Sequence, residues 1–183
     1  MAKLPVPMPP PGEMLRRRRE EMGRRRTYLT LGRRLFLLTA ALWIILSQVI
    51  MIHRNQGLGM FPAIKDGDLT VSSRLWRELE KDDVVVYRMG GRLQIGRIVA
   101  TERDVVKMDD SGSLLINGSV QNGQILYPTY ARKYAVYPQR IPEGSVYVLG
   151  DHRTQSLDSR DHGSVPLDDI LGKVIVVIRM RGL

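Results

Sequence analysis

The 183-residue sequence predicts a mainly β fold, an antiparallel β domain preceded by one transmembrane helix. Three observations carry this. Residues 35 to 52 run for eighteen positions without a charge, whereas the chain beyond residue 55 breaks into short runs rich in Val, Ile and Tyr. Those runs are bounded by Gly, Asp, Asn or Pro, the pattern of strands separated by turns. Asn117-Gly118 is a dipeptide that closes two-residue hairpins, which join antiparallel neighbours.

The apolar run comes first in the argument. At about 1.5 Å per residue eighteen residues span roughly 27 Å, close to a hydrocarbon core. Nine Arg, in Arg16 to Arg19, Arg24 to Arg26 and Arg33-Arg34, crowd ahead of it. A buried core helix would not carry such a flank. A cleavable signal peptide would have a shorter apolar region ending in small residues, and Val49 to Arg54 offers no such site. The layout expected is therefore a basic, Pro-rich cytoplasmic tail at 1–34, a signal-anchor helix at 35–54 and an extracytoplasmic β domain at 55–183. The positive-inside rule puts the amino terminus in the cytoplasm and the β domain outside a single-pass cell-membrane protein.

Charge is unevenly placed. Residues 1–34 hold ten Lys or Arg against three Glu, and residues 35–183 hold eighteen against sixteen Asp or Glu. The basic tail reads as a topology signal that also meets anionic lipid. No helix-turn-helix, RNA-binding or finger signature accompanies it, so nucleic acid is not an expected partner. Five of the ten Pro fall in residues 1–12, which predicts a disordered or polyproline-like leader, with an SH3-type ligand as the rarer alternative. There is no Cys, which excludes disulfides, thiolate metal sites and a Cys nucleophile.

Strands are expected at Leu69 to Ser72, Val84 to Arg88, Leu93 to Ala100, Val105 to Met108, Leu114 to Ile116, Val146 to Leu149 and Val174 to Ile178, with one short helix around Ser73 to Glu80. Between the last two strands lies a polar loop that gathers Asp151, His152, Arg153, Ser156, Asp158, Ser159, Arg160, Asp161 and His162. Two Arg, three Asp and several hydroxyls in one loop predict an ion-pair and hydroxyl network. Strands fix such a loop while the loop supplies the chemistry.

The segment Gly150-Asp151-His152-Arg153, continuing through Ser156-Leu157-Asp158-Ser159-Arg160 to Gly163 and Gly172-Lys173, closely resembles the last conserved box of the bacterial type I signal peptidases. His152 stands where that family usually has Asn. The resemblance extends over the region after the apolar run. The family's Ser-Met-x-Pro-x-Leu, whose Ser is the nucleophile, aligns with Gly59-Met60-Phe61-Pro62-Ala63-Ile64. Its Lys-Arg-Val-x-Gly, whose Lys is the base, aligns with Gly96-Arg97-Ile98-Val99-Ala100. Glycine therefore occupies both reacting positions.

That chemistry needs a hydroxyl beside a Lys made neutral by apolar burial. Glycine supplies neither, so no catalytic residue is expected. In the well-studied serine hydrolases, loss of the reacting side chains leaves only about 10³ to 10⁴-fold acceleration over water. The resemblance implies a peptide groove near Met60, Phe61, Pro62, Ile95 and Arg97. It also implies a bracing last box at Gly150, Asp151, Arg153, Ser156, Asp158, Ser159 and Arg160, with Arg97 the partner of Asp158.

Three other sources of chemistry stay open on sequence alone: a relocated Lys65 with Ser156 or Ser159, a Ser156-His152-Asp151 set, and a metal on His152, His162 and Asp161. The last lacks a zincin spacing, so neither cofactor nor metal is expected. Loss of the pair with retention of the last box resembles signal-peptidase-like proteins that assist sortase-built pili in Gram-positive bacteria. This implies a membrane-anchored chaperone or assembly factor for exported proteins such as pilins, with sortase as a further partner. The alternative is an active peptidase cleaving secreted preproteins, and a purely structural anchor is the third class.

Overall fold

The computed structural model describes residues 11–121, 126–132 and 135–180, of which residues 11 and 13–27 are described by their backbone alone. The chain divides into two units, Met1–Ser47 and Gln48–Leu183. Among the described residues the first unit holds α1 (Pro11–Val49) without its last two residues. Proline suits the first helical position because its missing N–H would have no partner there. The Pro-rich segment up to residue 10 lies outside the described residues. Within α1, Tyr28–Val49 is long and apolar enough to cross a membrane, at 22 residues and mean hydropathy 1.7. Its apolar side chains are exposed, Trp43 at 75%, as those of a soluble protein's core helix are not.

The second unit holds eleven described strands, all paired antiparallel. They are β1 (Ile50–Arg54), β2 (Leu69–Ser73), β3 (Val84–Met89), β4 (Arg92–Ala100), β5 (Val105–Met108), β6 (Leu114–Ile116), β7 (Ser119–Val120), β8 (Gln139–Arg140), β9 (Ser145–Leu149), β10 (Val165–Pro166) and β11 (Ile170–Ile178). One sheet has the order β1-β2-β11-β3-β4-β9-β10 and the other β7-β6-β5-β8. A four-residue helix, α2 (Ser159–His162), sits in the loop after β9.

The seven expected strands all form, and the hairpin forms as read. Asn117 and Gly118 take φ of 53° and 83° between β6 and β7, the left-handed pair that such a turn requires. Two expectations fail. The helix ends at Val49 rather than running to residue 54, because Ile50 to Arg54 pair residue by residue with Ser73 to Leu69. The helix expected around Ser73 to Glu80 is replaced by an irregular loop. Ser73 Oγ accepts from Leu75 N and donates to Leu75 O, both at 3.2 Å, and this side-chain turn competes with helical bonding. Trp76 and Leu79 pack onto the core from that loop.

Strand β9 positions the site. It is buried along its whole length. Val146 and Val148 join Val85, Tyr87, Ile98, Val165 and Ile170 in one core cluster, while Tyr147 and Leu149 join Val99, Ala100, Val106, Met108, Leu114 and Ile141 in the other. Alternation of side chains along the strand thus sends successive residues into two cores. At about 1.5–3 kcal/mol for each large side chain fully buried, β9 is firmly held, and the polar loop begins directly after it.

Candidate functional site

The loop from Asn55 to Ile64 carries Gly59. Buried Asn55 shapes it, donating through Nδ2 to Lys65 O at 3.0 Å and Gly57 O at 3.2 Å, while its N bonds Asp68 O at 2.8 Å. Met60 and Ile64 anchor it in the interior at 2% and 1% exposure. The carbonyl of Gly59 accepts from His152 N at 3.0 Å, which ties this loop to the one after β9.

Both glycines abut the end of β9, with different room around them. A Cβ at residue 59 would meet Ser156 Cβ at 3.6 Å, an ordinary contact. A Cβ at residue 96 would fall closer than 3.0 Å to Val148 Cγ1, with Leu149 O at 3.3 Å and Tyr87 Cε1 at 3.4 Å. Position 59 is open, and position 96 is filled by its neighbours. Gly150 is a third tight place, since a Cβ there would lie 2.5 Å from Gly59 O and 2.7 Å from Ser156 Oγ.

The polar loop forms the expected network, with one change of partner. Asp158, 1% exposed, accepts from Arg160 Nε and Nη2 at 2.8 Å each, from Gly150 N at 3.1 Å and from Ser156 Oγ. It also caps α2, accepting from Arg160 N at 3.2 Å while its own N donates to Asp161 Oδ2 at 3.1 Å. Burial works against the charge of Asp158, yet the Arg160 guanidinium and the Ser156 and Gly150 donors hold its pKa below the usual carboxylate range. Arg97 is not its partner. Arg97 makes a two-pronged pair with Asp151, Nε to Oδ1 at 2.8 Å and Nη2 to Oδ2 at 2.7 Å. Arg160, two residues from Asp158 on the same capped turn, has already taken both carboxylate oxygens.

Arg153 is 3% exposed and pairs with no carboxylate among the described residues. It donates to Gly150 O at 2.9 Å, Thr129 Oγ1 at 2.7 Å and Gln121 Oε1 at 3.2 Å. Burial, then the nearby Arg160 charge, pulls its pKa down to about 10, still protonated at neutral pH. Arg160 Nη2 reaches Arg153 O, and Ser159 Oγ accepts from Val148 N at 3.0 Å. Sequence reading named neither Thr129 nor Gln121 and placed Val148 only within a strand; all three enter the site through the fold.

The alternative chemistries do not assemble. Ser156 Oγ donates to Asp158 and accepts from Arg160, while Lys65 is exposed and its backbone bonds Asn55 and Asp68. Ser159 is occupied by the β9 backbone. In the Ser156-His152-Asp151 set, Asp151 is engaged by Arg97, and His152 Nδ1 lies 3.1 Å from Thr154 Oγ1 with its ring stacked on Tyr127 at 3.9 Å. His162 Nδ1 faces Gly163 O instead of His152. Among the described residues no group of three His, Asp or Glu side chains is placed to hold a metal.

Beside Gly59 opens a cavity of about 610 Å³. Gly59, Met60, Ile95 and Ser156 line it, with Leu58, Leu93 and Leu157 among the rest. Of the groove residues expected, Met60 and Ile95 are in its wall. Phe61, Pro62 and Arg97 are not: Phe61 lies against His152, with ring centroids 6.4 Å apart, and Arg97 is held by Asp151. Along one wall, β4 from Arg92 to Gly96 pairs only with β3, because pairing with β9 begins at Arg97. The backbone there is an unpaired strand edge among the described residues.

The site thus joins a braced polar loop, a cavity and an unpaired strand edge on one antiparallel β unit. The family description "Signal peptidase, peptidase S26" matches residues 28–179. The chain belongs to that signal peptidase family. It is 34% identical over 130 residues to a probable thylakoidal processing peptidase 2 of Arabidopsis thaliana, covering 63% of this chain and 34% of the relative. It is 24% identical over 142 residues to signal peptidase I V of Bacillus subtilis, covering 69% of this chain and 84% of that one. The chain spans about a third of the length of the plant relatives it matches. A crystal structure of a signal peptidase I from Enterococcus faecalis aligns with a TM-score of 0.44 and 25% identity, over 55% of this chain and 98% of that one. The apolar helix and the bacterial relatives fit a membrane-anchored protein.

Proposed function

We propose that this chain is a non-catalytic signal-peptidase scaffold that binds an extended segment of an exported protein at the membrane. One observation carries the reading: the base position is not merely emptied but closed, since a Cβ at residue 96 would fall inside contact of Val148 Cγ1. A side chain deleted from a pocket that remained would leave a cavity. Here Val148, Leu149 and Tyr87 occupy the space. The polar network beyond β9 serves to brace the Gly59 loop, and the cavity with its β4 edge receives the peptide. An extended chain adds main-chain hydrogen bonds to such an edge and places alternate side chains in the groove.

The client proposed is an exported protein such as a pilin, with sortase as the partner that acts on the same client. The chain is held to lipid by its span and basic tail, with the amino terminus cytoplasmic and the β unit outside. Exported segments are presented in extended form near the membrane, where an anchored binder meets them without a search through solution.

The second reading is an active peptidase, favoured by the names of the relatives and by Ser156 in the groove wall beside Gly59. It would have to draw a nucleophile from Ser156, whose hydroxyl is committed to a carboxylate of lowered pKa, a poor base. Cleavage of a signal-peptide-bearing preprotein by the solubilised chain, abolished by Ser156→Ala, is the result this reading requires. Saturable binding without cleavage is the result the binding reading requires.

A further inference from the structure

The cavity beside Gly59 carries a charge bias. Of the fourteen described residues lining it none is Asp or Glu, and its ionisable members are Arg92 and His53. Carboxylates next to the lining are engaged elsewhere. Asp151 and Asp158, on either side of the Gln155 to Leu157 segment, are held by Arg97 and Arg160, and Asp66 accepts from Gly57 N at 2.7 Å.

The β4 wall of this cavity carries donors. Its register with β3 runs unbroken from Arg97 to Arg92, so alternation puts Arg92 and Gln94 on the same face of the strand as Gly96. Gln94 Oε1 accepts from the Tyr87 hydroxyl at 2.9 Å, which leaves the Gln94 amide nitrogen to donate, without an acceptor among the described residues. Burial, and after it the charges of Asp158 and Asp161, push the Tyr87 pKa up, so that hydroxyl keeps its proton at neutral pH. Arg92 is exposed at the start of β4, directly after Gly90 and Gly91, whose φ of 57° and 76° close the β3–β4 hairpin. It has no hydrogen-bond or ion-pair partner among the described residues. A guanidinium and an amide nitrogen, which donate and do not accept, thus share one face of an unpaired strand edge.

We infer that the groove selects client segments bearing an acidic side chain, with the client carboxylate taken by Arg92 and Gln94 at the hairpin end of β4. The inference rests on the reading of the cavity as a peptide groove with β4 as its edge. Strands rise about 3.3 Å per residue, which places Arg92 about 13 Å along that edge from position 96. A side chain of a client strand paired there lies beside the β4 side chain directly opposite it. A carboxylate at that place exchanges hydration for charge-assisted hydrogen bonds. A Lys or Arg would instead meet Arg92 with no carboxylate in the lining to offset it. Because Arg92 is exposed, the gain is that of a surface pair, about fivefold in affinity, and it shrinks as salt is added.

The test uses the full chain in an uncharged detergent and fluorescent peptides of Thr and Val, which favour the extended form, alike except for a single Glu, Gln or Lys. Binding is read by anisotropy. The expected order of affinity is Glu, then Gln, then Lys, with Glu about fivefold tighter than Gln at low salt and the gap narrowed at high salt. Arg92→Gln brings the Glu and Gln peptides to equal affinity, while Arg92→Lys keeps Glu ahead. Equal affinity of the native chain for all three peptides overturns the selection and leaves the groove reading standing. Binding of none of them overturns the groove reading and this inference together. A preference for Glu that Arg92→Gln leaves unchanged assigns the selection to another surface and overturns this site.

Discussion

At residue 59 an added side-chain carbon would touch Ser156 at an ordinary 3.6 Å, whereas at residue 96 the same carbon would overlap Val148. Glycine at two positions that the signal-peptidase resemblance gives to reacting residues therefore meets two different surroundings in the fold. Position 59 lies on a loop that frames a cavity, so the missing side chain adds to open space. Position 96 is buried in β4 against Val148, the Leu149 carbonyl and Tyr87, where close packing does not tolerate a void. The difference predicts that position 59 accepts a side chain by one substitution and position 96 does not.

The largest expected effect concerns the brace that keeps Ser156 and Gly150 against Gly59. Asp158→Ala leaves the buried Arg160 guanidinium without its carboxylate, and unfolding stability measured by denaturant should fall by about 3–5 kcal/mol. A loss near zero would mean that the loop is held by packing alone and would remove the physical basis for an intact frame.

Next comes position 96 itself. Gly96→Ala should destabilise by about 1–3 kcal/mol through overpacking against Val148. Shortening the neighbour should relieve it, so Gly96→Ala/Val148→Ala should be more stable than the sum of the two single changes by about 1 kcal/mol. Additive costs would break the comparison, because they would show that Val148 does not fill this site. The same reasoning predicts that Gly59→Ser/Gly96→Lys gains no cleavage of a preprotein unless Val148 is shortened as well.

The acid limb of stability gives a smaller test. Asp158 has a lower pKa folded than unfolded, so as pH drops below about 4 the unfolded chain takes up the proton first and stability falls until the folded carboxylate protonates too. Thermal unfolding followed from neutral to acid pH should show this loss in the native chain and a flatter slope in Asp158→Asn. Smallest of all, Gly59→Ser should change stability by no more than about 0.5 kcal/mol, since its Cβ meets only ordinary contacts. A large penalty there would erase the contrast between the two positions.

Local pattern made much of this legible. The strands announced themselves by β-branched runs, and Asn117-Gly118 by its need for left-handed backbone. The polar network was legible as a composition, whereas its capping turn Asp158 to Asp161 was read only as loop. What failed depended on contacts distant in sequence. No breaker separates Ile50 from the apolar run, and only pairing with β2 makes it a strand. The spacing of Leu75, Trp76 and Leu79 looks helical until the Ser73 turn and the core contacts of Trp76 and Leu79 are known. Arg97 meets Asp151 across 54 residues, a choice of carboxylate that no motif states. The closing of position 96 by Val148 was equally hidden, because it is a matter of volume and not of residue type.

The most direct test of the account is to incubate the detergent-solubilised native chain with a preprotein or pilin bearing its signal peptide, following complex formation and proteolysis in the same sample. The account predicts saturable binding with the client left intact, and reduced binding when Leu93 and Leu157 in the groove wall are changed to Asp. Cleavage of the client by the native chain would contradict it.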